Sequence, residues 1–231
     1  MKAMLLAAGY GTRLRPLTDK TPKCLLPIKG KPLLQIWVDN LIEAGIKNIL
    51  INTHYLSDQV NEFFEKNDYS KYVSLVYEKE LLGTAGTLIK NIDFFENDEG
   101  FLIHSDNFCL ENLSSFINSH LNRPKESIMT MMTFRTNTPE QCGIVELNEH
   151  SLVINFHEKK LNSPGNLANG AIYLMSKEFL TDLKRNHFNK NDFSCEILNQ
   201  YLGKIYSFET RKIFIDIGNI INYNYVNNIN F

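Results

Sequence analysis

KAMLLAAGYGTRLR, Lys2 to Arg15, is the stretch on which the fold turns. Lys2 to Ala8 is a short, nearly continuous apolar run ended by glycine, the pattern of a strand covered on both faces in a parallel sheet. The Gly-x-Gly turn behind it stands where open α/β sheets bind ligands, at the carboxyl ends of their strands. Glycine there lets backbone N–H groups approach phosphates with no Cβ in the way. It is not a dinucleotide fingerprint, because no third glycine follows and no helix starts promptly. It is not a P-loop either, for want of a G-K-[ST] ending.

Outward from that loop, Leu33, Ile36, Trp37, Leu41 and Ile42 recur at helical spacing and predict a helix over Pro32 to Ala44, with Pro32 in its first turn and Gly45 as its C-cap. Asn48 to Thr53 and Val73 to Tyr77 read as strands, with a helix capped by Ser57 between them. Phe101 to Ile103 is a fourth strand, followed by helix over Leu113 to Leu121. From Ser127 the texture changes to strand-like runs at Ser127 to Phe134, Gly143 to Leu147, Leu152 to Phe156 and Ala171 to Met175. A helical pattern spans Phe179 to Leu202, with short strands at Ile205 to Phe208 and Lys212 to Ile215. Tyr223, Tyr225, Val226 and Ile229 form the apolar face of a final helix in Asn222 to Phe231. Strand-helix alternation implies βαβ units. The expectation is one Rossmann-like α/β domain over residues 1–231, with a mostly parallel, mixed central sheet flanked by helices. No hexapeptide periodicity follows the last motif, so no C-terminal β-helix domain is expected.

The chain has 231 residues, 43% of them hydrophobic, and 24 Lys+Arg against 26 Asp+Glu give a formal net charge of -2. That balance excludes a generally basic nucleic-acid coat, so any anionic partner is met locally. Ala3 to Ala8 is too short for a signal-peptide core, and no run reaches the roughly 20 apolar residues of a membrane span. A cytoplasmic protein with no membrane or nucleic-acid partner is expected. Cys24, Cys109, Cys142 and Cys195 form no C-x-x-C pair and are read as reduced thiols.

GYGTRLRPLTDKTPKCLLPIKGKPLL, Gly9 to Leu34, closely resembles the signature of the sugar-1-phosphate nucleotidyltransferases, of the mannose- or heptose-1-phosphate guanylyltransferase and glucose-1-phosphate thymidylyltransferase type. Further matches follow in order: LGTAG at Leu82 to Gly86, Asp106 after a strand, CGIVELN at Cys142 to Asn148, HEKK at His157 to Lys160, NGAIYL at Asn169 to Leu174 and FIDIG at Phe214 to Gly218. The resemblance implies that a nucleoside triphosphate and a sugar 1-phosphate are joined into a nucleotide sugar with release of pyrophosphate. Gly9, Gly11 and Thr12 would hold the triphosphate, Arg13 the departing pyrophosphate, and Lys23 the α-phosphate or sugar phosphate. Such a transfer needs mainly positioning and charge neutralisation. Asp106 and Asp216 would be the Mg²⁺ ligands, an ion that takes few carboxylates and completes its octahedron with water and phosphate.

Glu158 and Asn169 are implied to bond sugar hydroxyls, and Lys159 the sugar phosphate. For the base, Leu6 and Ala8 offer backbone groups and Gly83 approaches from the other side. Glu78 is the informative residue, since a carboxylate can accept from both guanine N1–H and N2–H whereas uracil or thymine offers one ring N–H. Three departures from the family pattern stand out. His104-Ser105 precedes Asp106 where Gly is usual, so that a serine side chain either narrows the pocket or supplies a hydroxyl, and His104 reads as packing. Lys160 replaces a proline, and Gly170-Ala171 alters the order after Asn169. GTP is the favoured nucleotide, with UTP, CTP or dTTP as alternatives. A noncatalytic nucleotide-sugar-binding subunit and a glycosyltransferase are the competing classes, and the sugar and any homo-oligomer stay open.

Overall fold

The computed structural model describes residues 1–230, so Phe231 of the expected last helix lies outside it. In chain order the strands are β1 (Lys2–Leu6), β2 (Pro27–Ile28), β3 (Lys31–Pro32), β4 (Ile49–Thr53), β5 (Val73–Tyr77), β6 (Gly100–His104), β7 (Asn107–Cys109), β8 (Met129–Arg135), β9 (Gly143–Leu147), β10 (Val153–Glu158), β11 (Leu167–Met175), β12 (Ile205–Glu209) and β13 (Phe214–Asp216). The helices are α1 (Leu33–Glu43), α2 (Ser57–Lys66), α3 (Gly83–Lys90), α4 (Leu113–Leu121), α5 (Lys177–Asn186) and α6 (Ile220–Asn228).

Nine strands form one mixed sheet. Its first half, β6-β1-β4-β5, is parallel throughout. Strand β11 then runs antiparallel to β6 and carries β8 and β9 beyond it. Because β4 lies on one side of β1 and β6 on the other, the chain reverses its direction of winding at the β1/β6 junction, and a crevice opens there at the strand ends.

Alternation along the strands divides the core into two layers. Ala3, Leu5, Ile51, Ile103 and Ile172 face α1, α2, α4 and α6, while Met4, Leu50, Leu102 and Tyr173 face α3, α5 and the segment after it. Burial on both faces explains why β1 reads as an unbroken apolar run.

Three local readings are corrected. Helix α1 starts one residue after Pro32, which is extended at ψ 136. Ser57 does not cap α2: it is the first helical residue, and Leu56 precedes it at φ 51. The helical pattern over Phe179 to Leu202 is broken, because the chain leaves α5 at Asn186 and Asn191 O accepts from Ala85 N of α3 (2.9 Å) before short π and 3₁₀ turns resume. In the last helix Val226 is buried and Tyr223 packs partly buried on the core, while Tyr225 is exposed.

Trp37 on α1 is almost fully buried, and its indole Nε1 donates to Asn107 O (2.8 Å), which fixes the turn after β6 against the core. Trp37→Phe is expected to leave that carbonyl unpaired and to cost about 1–3 kcal/mol, read as a lower urea midpoint at unchanged slope. Leu161→Ala, at an exposed position, is expected to stay within about 0.5 kcal/mol of the parent.

Candidate active site

The crevice at the β1/β6 junction is a cavity of about 240 Å³ lined by Leu6, Ala8, Gly9, Lys23, Glu78, Gly83, His104 and Asp106, among others. Gly11, Thr12 and Arg13 are on the loop beside it and outside its lining. The loop is built tightly: Gly11 has φ +64, and a Cβ there would meet Thr18 Cγ2 at 2.9 Å and Lys23 Cβ at 3.1 Å. Buried Thr18 closes the turn by donating to Gly11 O (2.8 Å).

Lys23 leaves this loop and crosses to β6, where its Nζ lies 2.6 Å from Asp106 Oδ2. The second carboxylate comes from a separate two-stranded ribbon, in which β13 pairs antiparallel with β7 and sets Asp216 opposite Asn107. Ile217 N donates to Asp106 O (2.9 Å) and fastens the ribbon beside the turn. A Cβ on Gly218 would meet Asp216 Oδ2 at 2.9 Å and Arg13 Nη2 at 3.1 Å, so Gly218 leaves the space in which guanidinium and carboxylate sit together.

Electrostatics tie these groups into one cluster. Desolvation opposes ionisation of Asp106, but the Lys23 ammonium, His104 and the Lys23 hydrogen bond outweigh it and hold the carboxyl below the usual aspartate range. Asp216 is held above that range by desolvation and by the Asp106 charge, with Lys23, Arg13 and Lys159 partly offsetting both. Two carboxylates in mutual repulsion, with no third acidic, His or Cys group joining them among the described residues, are a donor set that suits Mg²⁺ sharing its remaining positions with phosphate and water.

Glu78, just after β5, is buried. Its Oε1 accepts from Thr87 Oγ1 (2.5 Å) and Asn52 Nδ2 (3.1 Å), while Oε2 takes only a long contact from Leu82 N (3.4 Å). Asn52 also accepts from Ala7 N (2.8 Å), so one amide couples the glycine loop to Glu78. Sequence reasoning passed over Asn52, although a buried asparagine inside the apolar run ILINT was a visible signal. Gly83, at φ +76, starts α3, and a Cβ there would lie 2.3 Å from Asn191 O.

The Leu6 carbonyl is not free to meet a nucleotide: Ser105 N (3.2 Å) and Ser105 Oγ (2.7 Å) both donate to it. Ser105 lines the cavity, and its hydroxyl ties β6 to β1 through Leu6 O. His104 is desolvated, which lowers its pKa, with Asp106 and Asp192 opposing and Lys23 reinforcing the effect.

Of the residues expected to meet the sugar, Glu158 ends β10 and Lys159 follows at φ 44, with Lys159 Nζ 3.5 Å from Glu158 Oε1. Asn169 does not precede a strand but lies within β11, which bulges between Asn169 and Tyr173. Its Oδ1 accepts from Ala171 N (2.9 Å) and its Nδ2 donates to Tyr173 Oη (2.7 Å). Ala171 takes φ 51 in this bulge, a conformation that favours glycine, so the order Gly170-Ala171 places the residue with a Cβ at the strained position. Lys159 reaches Asp216 electrostatically, whereas Glu158, Lys159 and Asn169 lie outside the lining of the cavity that holds Glu78.

Residues 2–229 match the family model described as nucleotidyl transferase. A D-glycero-alpha-D-manno-heptose 1-phosphate guanylyltransferase of Campylobacter jejuni is 30% identical over 94% of this chain and 95% of its own length. A mannose-1-phosphate guanyltransferase beta-A of Xenopus laevis is 31% identical over 94% of this chain, which spans 61% of that relative. Among solved structures, HddC from Yersinia pseudotuberculosis, complexed with GMP-PN, superposes at TM-score 0.81 with 25% identity over 98% of this chain and 97% of its own. A Bacillus anthracis protein assigned as a glucose-1-phosphate thymidylyltransferase shares the fold at TM-score 0.87 and 24% identity, covering 100% of this chain and 97% of its own. With the model spanning nearly all of the sequence, the chain belongs to the nucleotidyl transferase family and is a sugar-1-phosphate nucleotidyltransferase.

Proposed function

We propose that the enzyme is a Mg²⁺-dependent guanylyltransferase that joins GTP to a hexose or heptose 1-phosphate, acting as one catalytic domain over residues 1–231. The observation that carries this reading is the cavity with Glu78 at one end and the Lys23–Asp106 pair at the other. The names of the heptose- and mannose-1-phosphate relatives support guanine and bracket the sugar. In this reading the Glu78 carboxylate receives guanine N1–H and N2–H, chiefly on Oε2, where acceptor capacity remains.

The sugar phosphate is already an anion and needs no general base. One of its oxygens forms a bond to the α-phosphorus while the bond from that phosphorus to the β-phosphate bridge breaks, and pyrophosphate leaves with the electron pair. Gly9, Gly11 and Thr12 bind the triphosphate, Arg13 neutralises the departing pyrophosphate, and Lys23 screens the two anions from each other. Asp106 and Asp216 would hold the Mg²⁺, which supplies further neutralisation of the phosphate oxygens when bound. Lys159 meets the sugar phosphate, and Glu158 and Asn169 orient the sugar.

Asp106→Asn or Asp216→Asn is expected to lower pyrophosphate release by at least about a hundredfold at limiting Mg²⁺, because each removes an anionic ligand. Near-normal rates in both variants would overturn the metal assignment. Arg13→Ala and Lys23→Ala should each depress kcat/KM by about two or more powers of ten with the melting temperature retained. A melting temperature that fell together with activity would make those cations structural.

Wild type is expected to favour GTP over UTP, dTTP and CTP, and Glu78→Gln to erode the GTP:UTP ratio of kcat/KM by about one to two powers of ten, since Gln presents a donor to guanine's two donors. Preference for UTP in wild type would remove guanine and leave the phosphate assignments standing.

A further inference from the structure

His104 lines the cavity and has no part in the roles above, and its Nε2 is shielded from solvent with no hydrogen-bond partner. A buried ring nitrogen left in that state carries the full cost of its desolvation, so a partner supplied by a ligand is worth more there than at a solvated site. The ring stands at the carboxyl end of β6, beside Leu6 of β1 and on the sheet face shared by Leu102 and Tyr173. On its other flank is the bulge of β11, just beyond the Ile172–Ile103 pair.

Asp192 approaches from the loop after α5 and acts electrostatically on both His104 and Tyr173. Its Oδ1 accepts from Cys195 N (2.7 Å), which holds the carboxylate in place and leaves it acceptor capacity. Tyr173 Oη is in turn joined to Asn169 Nδ2. His104 lines the cavity at the end of β6, Asp192 acts on it from the loop after α5, and the Tyr173–Asn169 pair lies on the neighbouring strand β11, all on the β6 side of the sheet and away from Glu78 after β5.

We propose that His104 and Asp192 select the sugar, taking one ring hydroxyl of the sugar 1-phosphate between the imidazole Nε2 and the Asp192 carboxylate. This rests on the transferase reading above and assigns two residues to its sugar subsite. The chemistry of the pair favours a hydroxyl over a phosphate oxygen. A hydroxyl donates to the carboxylate and accepts from the ring N–H at once, whereas a phosphate dianion has no proton to give and is repelled by Asp192. The base does not compete for this position, because Glu78 and its partners hold the opposite end of the cavity.

The test follows the His104 ring nitrogens in the ¹⁵N-histidine-labelled full-length protein, with His104→Phe to assign the signal. α-D-Mannose, α-D-glucose and α-D-galactose 1-phosphate, inorganic phosphate and GMP are added separately. The expected result is a shift of Nε2 with at least one sugar 1-phosphate, absent with inorganic phosphate and GMP and weakened in Asp192→Asn. A shift of equal size with inorganic phosphate, a shift only with GMP, or no shift with any of the three sugars overturns the proposal. In turnover, His104→Phe should raise the sugar KM about five- to tenfold, the loss of one neutral hydrogen bond, and the nucleotide KM by much less. Equal changes in both KM values would make His104 a packing residue. A wild type that released no pyrophosphate from any nucleotide would take down the transferase reading, while the ring titration would still decide the role of His104.

Discussion

The ion pair between Lys23 and Asp106 holds the two halves of the site together. Lys23 belongs to the loop that leaves β1 and Asp106 to the turn that leaves β6, strands adjacent in space but separated by most of a hundred residues. Three neighbouring contacts make the pair rigid. Trp37 holds Asn107 O from the core side, Asn107 Nδ2 donates to Gly170 O (3.0 Å) across to β11, and Ile217 N secures Asp106 O from the ribbon. A cation and an anion fixed by independent elements cannot drift apart when a charged ligand enters, and that preorganisation lets a handful of charges stabilise a phosphoryl-type transfer.

The same arrangement carries a cost. Asp216 is buried and stands beside Asp106, and desolvation first and the Asp106 charge second hold its carboxyl above the usual aspartate range. Lys23, Arg13 and Lys159 offset this only in part. The ribbon of β7 and β13 is short and sits off the main sheet, so its position depends on Ile217 and on the stacked Phe134 and Phe214 rings, 4.3 Å apart. Repulsion of this kind is tolerated at a site whose ligands bring compensating charge, and it would be an unexplained expense in a purely structural turn.

The parallel half of the fold was legible in the sequence because burial on both faces writes itself as unbroken apolar runs, as in KAMLL and ILINT. The loop cations and both aspartates were legible through their motifs. What escaped was set by contacts between distant segments. Nothing local in Asn186 to Asp192 announces that Asn191 docks on α3 and ends the helical pattern, and no periodicity marks the bulge that puts Ala171 at φ 51. Ser105 was ambiguous for the same reason: only the placement of β6 beside β1 decides that its hydroxyl meets Leu6 O. Leu56 at φ 51 likewise overrode the local preference for Ser57 as a cap.

Glu78 and His104, at the β5 and β6 sides of the cavity, are prepared in opposite ways, and under the proposed roles this bears on where selectivity can arise. Glu78 has Oε1 already satisfied by Thr87 and Asn52, so in the proposed reading a base changes the partners of Oε2 alone and exchanges a long contact from Leu82 N for its own donors. Discrimination among bases is then the difference between two hydrogen-bonded states, which is smaller than the value of a hydrogen bond made where none existed. A wrong base is disfavoured mainly by the donor it lacks, or by the acceptor it points at Oε2. At His104 Nε2 the free state has no partner to exchange, so whatever group meets that nitrogen gains the whole of the relief.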